Sequence, residues 1–184
     1  QTGLTFDKDY YVTDAGLIKE RVTTTTTPNT TPSSTDFITY ASSQIGNNIK
    51  TSIAYDTTNN KIGVLNYGSG GSDYYPRLII GTESGSSITW GTPVIVYSGN
   101  GGNERGYQLT YGNGAFIGTY ATSSKGYVFG ATYTGTNSAT IGTRVQPFSG
   151  DLYRENTTIS YNPNENKFVY IAKELNTNDF KLYI

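Results

Sequence analysis

The chain has 184 residues, 35% of them hydrophobic, with 22 Gly, 17 Tyr and a formal net charge of −1. Its 13 Lys and Arg residues form no basic stripe that could neutralise phosphates, and no apolar run approaches the roughly 18 residues of a membrane span, so we expect neither nucleic-acid binding nor membrane insertion. The absence of Cys and His excludes disulfides, thiolate metal ligands and histidine-based catalysis.

The first 22 residues predict a short β-hairpin arm. Apolar and aromatic residues at 4–6 and 10–13 are typical of strands, and an Asp-Ala-Gly turn at 14–16 leads into a further apolar pair at 17–18. We therefore assign residues 1–22 to this arm.

Residues 23–35 predict a linker. They are rich in Thr and contain two prolines but no apolar side chain, which favours an extended, solvated segment. An O-glycosylated stalk, or glycosylation at the Asn29 sequon, is the alternative interpretation. A second sequon, and thus a second possible glycosylation site, begins at Asn156.

From residue 36 onward the sequence predicts a repeated β unit. An anchor tyrosine recurs as Tyr55, Tyr111 and Tyr161, 56 and 50 residues apart, and the closing motif at 97–99 recurs at 148–150. A period of about 40–50 residues with four short β segments is typical of a propeller blade. We expect an all-β chain with propeller-like, four-stranded blade repeats, about 2.5 to 3 in number, after the hairpin arm.

Residues 37–42 resemble the closing strand at 94–99, and Tyr40 lies 15 residues before the first anchor tyrosine. We therefore expect this segment to be the outer strand of a shared blade, whose other strands lie in the last repeat or in a neighbouring subunit. Three blades fall below the usual minimum of about four, so a longer parent chain, shared blades and an open stack remain alternatives. The resulting boundaries within the 36–184 repeat domain are 36–51 for the outer strand, 52–106 for repeat 1, 107–156 for repeat 2 and 157–184 for partial repeat 3.

The sequence offers no catalytic pair of carboxylates. The acidic residues lie in predicted turns and no pair of them recurs, which favours solvated turn carboxylates over a glycosidase site. The Asn-rich and Asp-rich turns at 56–61 and 162–167 predict tight hairpins, because they lack the ligand spacing of a calcium loop. We predict no catalytic, metal or cofactor site and expect that the protein is not an enzyme.

The many tyrosines suggest a second kind of function. Tyrosine rings near loops can stack on sugar rings, while packing between blades is the competing interpretation. The candidate glycan-facing aromatics are Tyr67, Tyr74, Tyr75, Tyr107, Tyr120 and Tyr127.

Two parts of the chain resemble bacteriophage virion proteins. Residues 3–16 resemble a hairpin module of tail and virion proteins with a Tyr-Tyr-Val core, although Asp7 stands where Gly is usual. The segments at 52–67, 91–99 and 158–172 resemble repeats of large phage structural proteins. No functional residue of that family is carried over to this chain.

This resemblance implies a non-enzymatic structural component of a virion: a tail fibre, a tail-associated protein or a capsid-decorating protein at the particle surface, in contact with the host. Its expected partners are other virion proteins or copies of itself, by oligomerisation or strand exchange, and a host-surface glycan is a further candidate. The alternatives are a carbohydrate-binding adhesin, secreted or on a cell surface, and a self-assembling filament subunit.

Overall fold

A computed structural model describes the backbone of residues 10–12, 18–20, 48–70, 73–85, 87–99, 105–122, 125–135 and 137–184. The chain divides into two compact units, Gln1–Ile38 and Thr39–Ile184. The predicted linker at 23–35, the Asn29 sequon and the predicted outer strand at 37–42 lie outside the described residues.

The first unit contains an antiparallel pair of short strands, β1 (Tyr10–Val12) and β2 (Ile18–Glu20). Tyr10 lies opposite Glu20 in the register of this pair. The two strands flank, along the chain, the predicted turn at 14–16.

The second unit is built from three antiparallel sheets that follow one another along the sequence. Sheet 1 consists of β3 (Asn48–Asp56), β4 (Lys61–Gly70), β5 (Asp73–Ser84), β6 (Ser87–Trp90) and β7 (Val94–Ile95). Sheet 2 consists of β8 (Arg105–Gly112), β9 (Ala115–Thr122), β10 (Lys125–Thr134) and β11 (Ser138–Ile141). Sheet 3 consists of β12 (Leu152–Asn162), β13 (Lys167–Glu174) and β14 (Phe180–Tyr183).

Sheets 1 and 2 share one construction. In sheet 1 the strands β6 and β7 pair with successive parts of the same edge of β5, so together they form an interrupted fourth strand. In sheet 2 the strand β11 pairs with β10, and Val145 continues that edge by bridging to Val128. Sheet 3 has the first three strands of this pattern. The described residues form strands and turns without any helix, which confirms the expected all-β class and the antiparallel four-stranded sheets.

The first turn of each sheet depends on an asparagine in the left-handed region. Asn60, Asn113 and Asn166 have φ values of 52°, 49° and 52°. Asparagine tolerates this conformation better than most residues. The preceding Asp56 also accepts a hydrogen bond from the Thr58 amide at 2.9 Å, which closes the turn in the way that Asp and Asn side chains commonly do.

Sheets 1 and 2 pack face to face through the main hydrophobic core. Leu65 and Leu78 of sheet 1 and Phe116 and Phe129 of sheet 2 are each 0–1% exposed. Gly63 lies directly against Phe116, because a Cβ on Gly63 would stand 2.6 Å from Phe116 Cε1. The missing side chain therefore leaves the space that the phenylalanine ring fills.

Sheets 2 and 3 pack through a second cluster. Leu152, Ile159 and Tyr170 of sheet 3 are buried there, and Ile117 and Val128 of sheet 2 pack against them. Hydrogen bonds also join the first strands of the three sheets. The Leu109 amide donates to Ser52 Oγ at 2.9 Å, and the Thr157 hydroxyl of β12 donates to the Gly106 carbonyl of β8 at 3.1 Å.

Tyr170 buries its hydroxyl in this second cluster without a hydrogen-bond partner among the described residues. Removing an unsatisfied buried polar group stabilises a protein, so we expect Tyr170→Phe to raise the free energy of unfolding by about 1 kcal/mol. Urea denaturation measures this change. The matched variant Tyr133→Phe loses a hydrogen bond to Asp56 and is expected to lower the same quantity by about 1–2 kcal/mol. A loss of stability in Tyr170→Phe would contradict the prediction.

Candidate functional site

Arg144 lies between two tyrosine rings where the outer edges of sheets 1 and 2 meet. Its guanidinium carbon is 4.2 Å from the centroid of the Tyr97 ring and 4.4 Å from that of Tyr127, and Nη1 donates a hydrogen bond to the Tyr120 hydroxyl at 2.9 Å. A planar, weakly hydrated guanidinium is suited to stacking on aromatic faces. We call these four residues the Arg144 cluster.

Strand pairing in sheet 2 and the segments that follow β7 and β11 bring the four side chains together. Tyr120 of β9 lies opposite Tyr127 of β10 in sheet 2, and their rings stack with centroids 5.4 Å apart. Tyr97 follows β7 at the end of sheet 1, and its ring also stacks on Tyr120, with centroids 5.6 Å apart. Arg144 follows β11 and precedes Val145, whose bridge to Val128 fixes the backbone at this point.

The electrostatics of the cluster keep Arg144 charged. The hydrogen bond with Tyr120 raises the pKa of Arg144, and a contribution from Tyr97 acts in the same direction, whereas burial acts against both. Burial raises the pKa of Tyr120, although Arg144 lowers it in part. Within the part of the chain that the structure describes, no carboxylate lies within salt-bridge distance of Arg144. With respect to the described residues, the guanidinium therefore keeps donors for an external acceptor.

An open groove of about 530 Å³ runs past the guanidinium. Ile95 and Val96 supply an apolar wall, while Ser98 and Arg144 supply polar groups. A guanidinium forms paired hydrogen bonds with a carboxylate, and tyrosine edges and aliphatic side chains accept the apolar face of a sugar. The groove is thus suited to binding an anionic ligand and carries no nucleophile with an adjacent base.

A second polar cluster surrounds Asp56, whose side chain is fully buried between sheets 1 and 2. Its carboxylate accepts hydrogen bonds from the Tyr133 hydroxyl of β10, from Asn59 Nδ2 at 2.8 Å and from the Thr58 amide. Burial alone would raise the pKa of Asp56, but these hydrogen bonds and one from Tyr111 outweigh it and lower the pKa to about 2. The carboxylate therefore stays ionised, and its hydrogen bond with Tyr133 joins sheet 1 to sheet 2.

The structure places three of the six predicted glycan-facing tyrosines away from solvent. Tyr67, Tyr107 and Tyr120 are 7%, 5% and 1% exposed, so their rings cannot stack on a ligand, and that prediction is wrong for these three. Their alternation along strands with two packed faces buries them in the core cluster that sheets 1 and 2 share. Tyr127 is half-buried with its ring beside Arg144.

The remaining predicted positions are scattered. Tyr75 is half-buried in β5, the side chain of Tyr74 lies outside the described side chains, and the Asn156 sequon lies within β12. Of the predicted aromatics whose side chains are described, the structure therefore brings Tyr120 and Tyr127 into one site.

Sequence reasoning missed Tyr97 and Arg144 as site residues. A signal was available in the repeat itself, because the Gly-Thr-Pro-Val of 91–94 becomes Gly-Thr-Arg-Val at 142–145. A charged residue in place of proline at an equivalent position marks a difference between otherwise similar copies. Its partners come from other strands, and no local spacing reveals them.

Two features are absent from the described residues. No group of three or more His, Cys, Asp or Glu side chains with the geometry of a metal site occurs among them. No helix of sufficient length and apolarity to cross a membrane occurs among them either. Comparison of the chain with protein-family models, with curated proteins and with solved structures found no match.

Proposed function

We propose that this chain is a non-enzymatic structural component of a phage virion, built from propeller-like blades and acting at the particle surface. The observation that carries the proposal is the recurrence of one packing relation: sheet 1 covers one face of sheet 2, and sheet 3 covers the other. Repeated sheets that each bury a neighbour give a rigid scaffold, which is what a virion component needs.

The arrangement of strands supports the propeller-like interpretation. The first strands β3, β8 and β12 contact one another in sequence order, while the fourth strands lie at the far edges of sheets 1 and 2. First strands that adjoin one another, each at one edge of its own sheet, are typical of blades. The resemblance of 52–67 and 158–172 to phage repeats gives this scaffold its proposed place in a tail or capsid.

The use of the acidic groups supports a non-enzymatic role. Asp56 is committed to hydrogen bonds within the fold, and Asp151 and Glu174 pair with Lys125 at 2.7 Å and Lys181 at 3.4 Å. Carboxylates occupied in this way do not form the opposed acid and base of a hydrolase.

Immunogold labelling of purified particles from the source of this sequence tests the proposal. We expect antibodies against the chain to label the tail or capsid surface, and mass spectrometry of the same particles to recover its peptides. Antibody pre-absorbed with the purified chain is the control. Particles that carry neither label nor peptides would contradict the proposal.

A second candidate function is recognition of an acidic surface carbohydrate at the Arg144 cluster. The specific observation is the charged guanidinium, stacked between Tyr97 and Tyr127, with no carboxylate partner among the described residues. A uronic-acid residue presents a carboxylate for the guanidinium and an apolar ring face for the groove wall.

Isothermal titration with glucuronate-containing oligosaccharides, and with neutral oligosaccharides of equal length, measures this recognition. We expect Arg144→Gln to weaken binding of the acidic sugar about tenfold or more, because a charge-assisted pair is lost. Arg144→Lys is expected to fall between, since it keeps the charge but loses the planar fork. Lys167→Gln, which removes an exposed charge elsewhere, serves as the matched control. Equal affinity of the parent chain and Arg144→Gln would contradict the assignment.

A further inference from the structure

Lys61 is a buried lysine without an ion-pair partner among the described residues. It begins β4, and the residue is only 8% exposed. Within the described part of the chain, no Asp or Glu side chain forms a salt bridge with it. A buried ammonium group without a paired carboxylate is costly, because the charge has lost its water. The surroundings of Lys61 therefore favour a reaction that removes its charge.

The side-chain amide of Asn137, which immediately precedes β11 of sheet 2, contacts this amine. Lys61 Nζ lies 2.5 Å from Asn137 Oδ1, and Asn137 is only 6% exposed. Because a C=O bond is about 1.2 Å long, Nζ lies within about 3.7 Å of the amide carbon Cγ. Reacting atoms in a near-attack geometry are about 3–3.5 Å apart, so a small displacement brings the amine to the amide carbon.

Three features hold the Asn137 amide in this orientation. Its Nδ2 donates a hydrogen bond to the Thr89 carbonyl of β6 at 2.8 Å. Its backbone is fixed in the left-handed region, with φ of 64°. Gly91 leaves room for it, because a Cβ on Gly91 would stand 2.8 Å from Asn137 Cβ. The amide is therefore positioned in advance for the amine of Lys61.

Thr82 of β5 connects the amine to the amide oxygen. Its hydroxyl accepts a hydrogen bond from Lys61 Nζ at 2.5 Å and donates one to Asn137 Oδ1 at 2.5 Å. Attack on Cγ places negative charge on Oδ1, and a donor already directed at that oxygen stabilises the charge. Asp56 lies opposite Lys61 in the register of β3 and β4, so its ionised carboxylate, on the same face of the sheet, can take up a proton from the ammonium group.

We propose that Lys61 and Asn137 join in an isopeptide bond, which cross-links sheet 1 covalently to sheet 2. The lone pair of Nζ forms a bond to Cγ, and the Cγ–Nδ2 bond breaks with its electron pair on nitrogen. The two protons that the lysine ammonium gives up leave with that nitrogen as an ammonium ion, so the reaction needs no co-reactant. The product is a neutral amide whose oxygen keeps the hydrogen bond from Thr82, and the buried charge is gone.

Sheet 3 repeats the lysine in different surroundings. Lys167 begins β13 opposite Asn162, just as Lys61 begins β4 opposite Asp56. The side chain of Lys167 is 55% exposed, and its Nζ lies 3.8 Å from a Glu165 carboxylate oxygen. Because this amine is solvated and paired with a carboxylate, we expect it to stay unmodified. Lys167 is therefore the matched control for Lys61.

Mass spectrometry of the whole denatured chain tests the cross-link. We expect a mass about 17 Da below that of the unmodified sequence, which corresponds to the loss of one ammonia molecule. Cyclisation of an amino-terminal Gln removes the same mass, so tryptic mapping is needed to locate the loss. The cross-link blocks cleavage after Lys61 and joins residues 51–77 to residues 126–144 in one branched peptide.

Variants of both partners identify the bond. Lys61→Arg keeps a positive charge and donors for Thr82 but removes the amine nucleophile, so we expect no branched peptide and free recovery of residues 126–144. Asn137→Gly removes the amide, and Gly tolerates the left-handed backbone at this position, so we expect the same loss of the branched peptide. Lys167→Arg should retain the branched peptide. Circular dichroism spectra show whether each variant is folded.

Recovery of residues 51–61 and 126–144 as separate peptides from the parent chain, with no branched peptide, would overturn this inference. Persistence of the branched peptide in Lys61→Arg would overturn it as well. The first outcome is read from the parent chain alone, so it stands even if a variant does not fold. Both outcomes are independent of the particle-labelling experiment, so the cross-link and the proposed function can each be contradicted without the other.

Discussion

Phe116→Ala is expected to lower the free energy of unfolding by about 4 kcal/mol, the largest effect of any single substitution considered for this chain. Phe116 is fully buried between sheets 1 and 2 and lies 4.8 Å from Tyr111 and 6.0 Å from Tyr133, measured between ring centroids. Its truncation removes apolar burial and leaves a cavity beside Gly63, which has no side chain to fill it. Urea denaturation followed by fluorescence measures the loss.

Phe180→Ala is the matched control for this substitution. The same side chain is removed there, but Phe180 is 66% exposed, so we expect a change within about 0.5 kcal/mol. Gly63→Ala tests the same contact from the other side, and we expect it to cost about 1–3 kcal/mol because the new methyl group meets Phe116. A loss below about 1 kcal/mol in Phe116→Ala would contradict the interlocking of the two sheets.

The strands and turns of the repeat domain were predictable because they depend on local chemistry. Tyr55, Tyr111 and Tyr161 mark the ends of three first strands, and each is followed by a turn with a left-handed asparagine. Alternating apolar residues and turn-forming residues carry this information within each short segment. The interrupted fourth strand is also visible in the repeat of the closing motif.

The faces of those strands could not be predicted in the same way. Alternation separates two faces but does not reveal that both faces of sheet 2 are covered. For this reason Tyr67 and Tyr107, which lie near loops in the sequence, seemed suited to a surface, yet their rings lie 5.9 Å apart inside the core. Burial of a strand face depends on the neighbouring sheet, and the residue pattern of one strand does not show whether such a sheet packs on it.

The closing motif was also predictable only in part: its recurrence is visible in the sequence, but its packing partners are not. Its aromatic residues Tyr97 and Phe148 recur 51 residues apart, which the sequence shows. The structure adds that each packs onto the next sheet: Tyr97 stacks on Tyr120, and Phe148 lies 5.6 Å from Tyr170. Arg144 joins the first of these contacts from a distant segment, so the partners of Arg144 could be found only from the fold.

Asp56→Ala is expected to lower the free energy of unfolding by about 3 kcal/mol at pH 7. The substitution leaves the Tyr133 hydroxyl and the Asn59 amide without their acceptor in a buried site. Asp56→Asn should cost less, because Asn162 shows that an amide oxygen can close the equivalent turn, accepting from the Asn164 amide at 3.1 Å. The difference in unfolding free energy between Asp56→Ala and Asp56→Asn measures the hydrogen bonds that an amide oxygen can still accept. The remaining difference between Asp56→Asn and the parent chain measures the contribution of the charge.

The pH dependence of the free energy of unfolding measures the contribution of the Asp56 charge directly. The pKa of Asp56 falls from 3.8 to about 2 on folding, so the ionised form favours the folded chain. This contribution of about 2 kcal/mol is complete above the unfolded pKa and is lost as the pH falls through about 2. Urea denaturation between pH 7 and pH 2 should show that loss in the parent chain and in the exposed control Asp179→Asn, but not in Asp56→Asn. If Asp56→Asn lost stability in acid as steeply as the parent chain, another carboxylate would be responsible for the loss. The charge of Asp56 would then not contribute to the contact between sheets 1 and 2.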